Sequence, residues 1–93
     1  MANTGLAELD FGTYPGDTNI TQAVIGQTDI VADSVVEVYI EPKDTADHTI
    51  DEHIIEAPRV FAGLITPGVG FSIYGMAIDD LAYGLWNVRW VWV

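Results

Sequence analysis

The stretch of sequence that decides the fold is Trp86-Asn87-Val88-Arg89-Trp90-Val91-Trp92-Val93, which holds all three tryptophans of the chain. Side chains of a strand alternate between two faces, so Trp86, Trp90 and Trp92 share one face with Val88. β-branched and aromatic residues dominate the stretch, and both kinds favour strands over helices. Because a strand this apolar would be a hazard at an open sheet edge, we expect it inside a sheet or inside a subunit interface.

The indole rings of this tryptophan strand have two interpretations. Each large ring buries roughly 150–250 Å² and dominates the energetics of a core or an interface, which favours packing for Trp86, Trp90 and Trp92. The alternative is an exposed strip on which sugars or nucleobases stack. Arg89 is one of three basic residues among fourteen acidic ones. We expect it to pair with a carboxylate, across the sheet or across an interface.

The rest of the chain predicts further short strands separated by turns. The predicted strands cover 6–11, 19–27, 34–41, 52–57, 59–65 and 70–78. Alternation of apolar and polar residues is clearest in the first and third of these, with Ala7, Leu9, Phe11, Val36, Val38 and Ile40 facing inward. The segment 70–78 carries bulk on both faces, which predicts a central strand. Pro15-Gly16 predicts a type II turn after the first strand.

Strand number and spacing indicate the fold class. With the tryptophan strand there are about seven strands, roughly 8–12 residues apart, and no helical pattern. This arrangement is typical of an all-β domain, a single small antiparallel β-sandwich or barrel that takes in residues 1–93. We expect 70–78 and the tryptophan strand to form a hairpin around a loop of about six residues, 79–84.

Length and hydrophobicity together indicate contacts beyond the chain's own core. A chain of 93 residues buries only roughly 60–65% of its unfolded surface. Yet 49% of its residues are hydrophobic and 11% are aromatic. We therefore expect a homo-oligomer or a stable complex with another protein. The alternative is a monomer whose apolar residues all fill a sandwich core.

Charge excludes several classes of partner. The formal net charge of −11 repels phosphate backbones and anionic membrane surfaces, so neither nucleic acid nor membrane is an expected partner. No segment approaches the roughly 20 apolar residues that span a bilayer. The chain has no cysteine, so disulfides and thiolate metal sites are excluded.

One polar segment is a candidate site, Asp47-His48-Thr49-Ile50-Asp51-Glu52-His53, here called the 47–53 segment. Its imidazoles and carboxylates are ligand types for zinc or another divalent ion. The histidines are five positions apart, however, and diverge both on a helix and on a strand. The favoured interpretation is an exposed acidic loop without metal, with room for one helical turn, in which the histidines pair with carboxylates or cap backbone groups. The residues that such a loop offers to a partner are Asp47, His48, Asp51, Glu52 and His53.

Catalysis has no support in the sequence. The only serines, Ser34 and Ser72, lie inside predicted strands without the strained turn of a nucleophile. No acid/base pair stands out among the many carboxylates. The sequence therefore predicts neither an enzyme nor a cofactor.

Several segments together carry a family resemblance. In chain order they are Ala7-Glu8-Leu9-Asp10-Phe11-Gly12 with Pro15-Gly16, Val36-Glu37-Val38-Tyr39-Ile40, Thr45-Ala46-Asp47-His48-Thr49, Asp51-Glu52-His53, Gly68-Val69-Gly70-Phe71-Ser72-Ile73-Tyr74 and Gly84-Leu85-Trp86-Asn87-Val88-Arg89-Trp90-Val91-Trp92. This order resembles a family of short, virion-associated proteins encoded in tailed-bacteriophage genomes, over nearly the whole chain. The resemblance implies a virion protein and brings no activity and no catalytic residues.

The resemblance and the composition together predict a role. An acidic β domain with more apolar surface than it needs suits a shell component present in many copies, and inside the head its charge would face packaged DNA unfavourably. We expect a capsid decoration (cement) protein that binds the major capsid protein on the outer surface of the virion as a homo-oligomer. The alternatives are a tail or receptor-binding accessory protein and a carbohydrate-binding module that uses the tryptophan strip.

Overall fold

A computed structural model describes residues 3–78 and 81–93. Its elements, in chain order, are β1 (Asn3–Asp10), β2 (Asn19–Val24), β3 (Val36–Ile40), α1 (Ile50–Ile55), β4 (Arg59–Thr66), β5 (Gly70–Met76) and β6 (Leu85–Trp92). The described residues thus contain six strands and one short helix, where the sequence predicted about seven strands and at most one helical turn, in the polar segment 43–52.

The strands form two antiparallel sheets of three. The first sheet has the order β1-β6-β3 and the second sheet the order β2-β5-β4. The predicted mostly-β class and antiparallel pairing are confirmed, and neither sheet closes into a barrel. The tryptophan strand β6 is the middle strand of the first sheet, paired over its whole length with β1 and over part of it with β3. From Val88 to Trp92 it is therefore paired on both edges, as its apolar composition requires.

The predicted hairpin between 70–78 and the tryptophan strand is wrong. β5 is central, as expected, but it lies in the second sheet, whereas β6 lies in the first. The chain between them is held instead by a bridge to the turn before β2, where the backbones of Asp17 and Ala82 exchange two hydrogen bonds of 2.8 and 3.0 Å. Asp79 and Asp80, the first residues of the predicted loop 79–84, lie outside the described residues.

The turn after the first strand also differs from its prediction. The amide of Gly16 donates to the carbonyl of Thr13 at 2.8 Å, which puts Tyr14 and Pro15 at the turn centre, with a cis peptide bond between them. A type II turn centred on Pro15 and Gly16 would instead place the closing bond one residue later.

The core lies between the two sheets. Its buried apolar residues are Leu9, Phe11, Ile30, Phe71, Ile73, Trp86, Val88, Trp90 and Trp92. The period of two had placed most of them correctly, because alternate residues of β1, β5 and β6 face the same layer. Phe71 of the second sheet meets Trp90 of the first edge to face, with ring centroids 5.5 Å apart. A side chain at Gly5 would collide with the indole of Trp90, so β1 carries a glycine where that ring lies.

Candidate functional site

The 47–53 segment is not an open loop, because its second half is helical. Thr49 caps α1: its hydroxyl accepts from the Glu52 amide at 3.3 Å, and its own amide donates to the Glu52 carboxylate at 3.2 Å. This reciprocal pair is a capping box, which satisfies two amides that a helix start leaves free. The predicted strand 52–57 is therefore wrong, and the local capping signal Thr49-x-x-Glu52 explains the difference.

His53 joins this helix to the tryptophan strand. The ring is almost completely buried, and its Nδ1 lies 2.8 Å from the carbonyl of Thr49. Its Nε2 lies 3.0 Å from the backbone amide of Asn87. A carbonyl only accepts and an amide only donates, so His53 is neutral and carries its proton on Nδ1.

The His48 ring differs from that of His53 because both of its nitrogens face hydrogen-bond acceptors. Nε2 lies 2.6 Å from the carbonyl of Tyr83 and Nδ1 lies 2.8 Å from a carboxylate oxygen of Glu52. Both partners accept, so the ring donates to the two of them at once only in its imidazolium form. It stacks on Trp86 with centroids 3.7 Å apart and planes 20° apart, an arrangement in which the indole face attracts a cation.

The contact with His48 lowers the pKa of Glu52. The hydrogen bond from His48, followed by the one from the Thr49 backbone, lowers the pKa of the Glu52 carboxyl below its usual 4.5, against a smaller opposing effect of burial. The Glu52 carboxyl is therefore ionised at neutral pH, with an oxygen 2.8 Å from Nδ1 of His48. Glu52 is about a third exposed, 34%, and His48 hardly at all, 3%.

The two carboxylates left in the 47–53 segment do not join the histidines. Asp47 accepts from the Leu85 amide at 2.9 Å, and Asp51 is exposed in the first helical turn. The two imidazole centroids are 6.4 Å apart, and every ring nitrogen is already hydrogen-bonded. Within the residues that the structure describes, no group of three or more potential ligands could hold a metal ion.

These contacts have a common structural purpose at the start of β6. β3 reaches only to Ile40, opposite Val88, so the edge of β6 before Val88 has no strand neighbour on that side. Side chains replace it: Thr45 donates to the Leu85 carbonyl at 2.9 Å, while Asp47 and His53 accept from the Leu85 and Asn87 amides. These side chains, together with His48 and Glu52, are here called the histidine cluster. The cluster satisfies backbone groups of β6 that would otherwise cost free energy when buried.

Sequence reasoning missed the strand half of this cluster. Tyr83, Trp86 and Asn87 are brought to the histidines by tertiary structure, from more than 30 positions along the chain. The helix half had a signal in the sequence, since Thr49 and Glu52 have the capping-box spacing and His48 and Glu52 have the i,i+4 spacing of a helical pair.

A pocket of about 320 Å³ opens beside the cluster. His48, Glu52 and Trp86 form part of its wall, and Ile55, Ile78 and Leu81 form an apolar rim. Its lining, within the described residues, includes no serine, threonine, cysteine or lysine. Both ring nitrogens of His48 are hydrogen-bonded, and the His53 contact with the Asn87 amide holds α1 against β6.

The remaining predicted site residues lie in or beside the core. Trp86, Trp90 and Trp92 are only 3%, 8% and 6% exposed, so they form no strip open to sugars. Trp92 donates to the Gln27 side chain at 2.9 Å. Arg89 donates from Nε and Nη2 to one oxygen of Glu41 at 3.2 and 3.1 Å. This ion pair runs along the first sheet and is half-buried.

Comparisons with known proteins give no relative: no protein-family model matches the chain, and neither the curated proteins nor the solved structures contain a match. Among the described residues, no helix has the length and apolar character needed to cross a membrane.

Proposed function

We propose that this chain is a structural protein of a tailed-bacteriophage virion, a decoration protein that binds the major capsid protein on the outside of the head. In this proposal the two sheets form a small β-sandwich that acts as a homo-oligomer and has no catalytic role. The family resemblance supplies the phage context, and the surface of the molecule supplies the physical argument.

The observation that carries the proposal is the amount of apolar surface left uncovered. In the described part of the chain, nine large apolar residues are buried and seventeen are exposed. Exposed apolar residues occur on every small protein, but here they outnumber the core. They lie on α1, on both sheets and in the loops. Large exposed apolar patches mark protein contacts.

The distribution of charge supports a location outside the head. Acidic residues lie on the first sheet, on α1 and in the loops, whereas β2, β4 and β5 have none. A protein with one acidic side and one side free of acids can face solvent with the first and proteins with the second. Packaged DNA would repel the acidic side.

The same surface would also fit a tail accessory protein, which is the second candidate. The third alternative, a carbohydrate-binding module built on the tryptophan strip, has lost its structural basis because the three indoles are buried.

Quantitative mass spectrometry of fractionated particles tests the proposal. Particles of the phage that encodes the chain are disrupted, heads are separated from tails, and copies of the chain are counted in each fraction against the major capsid protein. We expect hundreds of copies on heads. A few copies confined to tails would favour the accessory role, and absence from both fractions would refute a virion role.

A matched experiment tests the stabilising role. Heads that lack the chain are heated with and without added purified protein, and DNA release is followed by dye fluorescence. Release at a higher temperature in the presence of the protein is the expected result. Unchanged release, with the protein bound to the heads, would refute a cementing role.

A further inference from the structure

We propose that the outer face of the second sheet is the surface through which two copies of this chain associate, sheet against sheet around a twofold axis. The inference deepens the homo-oligomer part of the proposed function and names its interface. It rests on the composition, shape and charge of this one face.

The face consists of side chains that point away from the core in three neighbouring strands. In β5 the alternate residues Phe71, Ile73 and Gly75 are buried and face the core, so Ser72, Tyr74 and Met76 point outward. The register of the strands then defines the face, here called the acid-free face: Asn19, Met76 and Arg59 in one row, Thr21, Tyr74 and Phe61 in the next, and Ala23 and Ser72 in the third.

Charge distinguishes this face from the rest of the molecule. None of the fourteen acidic residues of the chain lies in β2, β4 or β5, and Arg59 is the only charged residue there. The outer side of the first sheet, by contrast, carries Glu8 and Glu37. Two molecules of charge −11 repel each other through most orientations, and contact through the acid-free face brings the fewest carboxylates together.

The shape of the face suits a second sheet. The Tyr74 ring occupies the space above Gly63, where any side chain would collide with it, so the ring lies across β4 instead of standing off it. The guanidinium of Arg59 lies 5.6 Å from the centre of the Phe61 ring, within the range of a cation–π contact. These groups make a low aromatic layer, and two such layers can pack at the roughly 10 Å spacing of stacked sheets.

The face is also complementary to itself. A twofold axis parallel to the strands places β4 of one copy over β2 of the other, with the same ends aligned. Arg59 then lies over the partner's Asn19, in the same row, and near the partner's Asp17, whose carboxylate is exposed. The one cation of the face therefore meets a carboxylate at the rim, and the two arginines stay apart.

The area of the acid-free face sets the expected affinity of the dimer. Three strands of about seven residues cover roughly 14 Å by 23 Å, or about 300 Å² of flat footprint per copy. A standard stable interface buries about 800 Å² per partner. Even with exposed neighbours such as Leu64 and Ile78, the face falls short of that area. We therefore expect a reversible dimer with a dissociation constant on the order of 1–100 µM.

Sedimentation equilibrium of the full chain tests the inference. At near-physiological salt and concentrations from about 1 to 500 µM, the weight-average mass should rise from one copy to two. Tyr74→Glu and Thr21→Glu, which place an acid on the acid-free face, should each weaken association at least tenfold. Tyr39→Glu is the matched control, because it puts the same charge at an exposed tyrosine of the first sheet and should leave association unchanged. Thermal melting and near-ultraviolet circular dichroism establish that each variant is folded.

Three results would overturn the inference: a wild-type chain that stays monomeric over the whole range, face variants that dimerise like the wild type, or a control variant that weakens association equally. A monomeric wild type whose binding to heads is lost in Tyr74→Glu would assign the face to the capsid, and would leave the decoration role standing. If the chain dimerised in solution but were absent from virions, the dimer interface would be supported and the proposed function would be refuted.

Discussion

Replacement of His53 by alanine tests whether the histidine cluster holds the helix on the tryptophan strand. The substitution removes the only side chain that accepts from the buried Asn87 amide, 3.0 Å away. A buried donor left without a partner costs about 1–3 kcal/mol. Loss of the ring, which is 2% exposed and meets Trp86 at a centroid distance of 5.0 Å, adds a cavity that costs about 1–2 kcal/mol. We expect His53→Ala to lower the free energy of unfolding by about 2–5 kcal/mol.

Urea denaturation followed by tryptophan fluorescence measures this loss. All three tryptophans are buried in the folded chain, so unfolding should shift their emission to longer wavelength. His53→Gln is the informative second variant, because its side-chain oxygen can still accept from the Asn87 amide and should restore part of the stability. Asp51→Ala, at an exposed position of the same helix, controls for helix propensity and should change stability little.

The reasoning would be refuted by His53→Ala within about 0.5 kcal/mol of the wild type, the range of ordinary surface substitutions. If His53→Gln were as unstable as His53→Ala, the ring would act through packing and not as an acceptor.

Three further predictions follow from the same contacts. Trp90→Ala should cost about 3–5 kcal/mol or prevent soluble expression, whereas Tyr39→Ala, on the exposed side of the first sheet, should unfold at nearly the wild-type urea concentration; a Trp90 variant with unchanged melting would contradict the buried position of that ring. The lowered pKa of Glu52 stabilises the fold above its unfolded value of 4.5 and ceases to do so as the pH falls through the lower folded value. The stability difference between the wild type and Glu52→Gln should therefore shrink as the pH falls below about 5; a difference that widened there would reverse the sign of the argument. Calorimetric titration with zinc should give no binding heat beyond that of His48→Ala, because the ring nitrogens are already hydrogen-bonded; heat that His48→Ala abolishes would establish a metal site.

Periodicity in the sequence was enough to predict most of the strands and several of their buried faces. Alternation in 6–11 and 34–41 correctly placed Leu9 and Phe11 in the core, and Val36 and Val38 against it. It works because the pleat sends neighbouring side chains to opposite faces whatever the sheet order is. The concentration of tryptophan in 86–92 likewise required a strand covered on both edges.

The pairing of strands could not be predicted in the same way. Nothing local distinguishes a hairpin of β5 and β6 from their separation into two sheets, since either arrangement buries the same faces. The choice depends on contacts distant in sequence, such as the bridge between Asp17 and Ala82 and the long register of β1 on β6. The tailed-phage resemblance bears on the origin of the chain and not on this choice, and it stays a proposal.

Some properties of the candidate site could likewise be predicted from the sequence, and others depended on the tertiary structure. The sequence by itself determined that the 47–53 segment is acidic, contains two histidines and lacks the spacing of a metal motif. It also determined the mostly-β class and the tryptophan strand as the centre of the core. Only the tertiary structure decided that His53 faces one acceptor and one donor whereas His48 faces two acceptors, because the role of each ring nitrogen depends on the group that folding places opposite it. Those facing groups, the Asn87 amide and the Tyr83 carbonyl, come from a part of the chain that folding alone brings near.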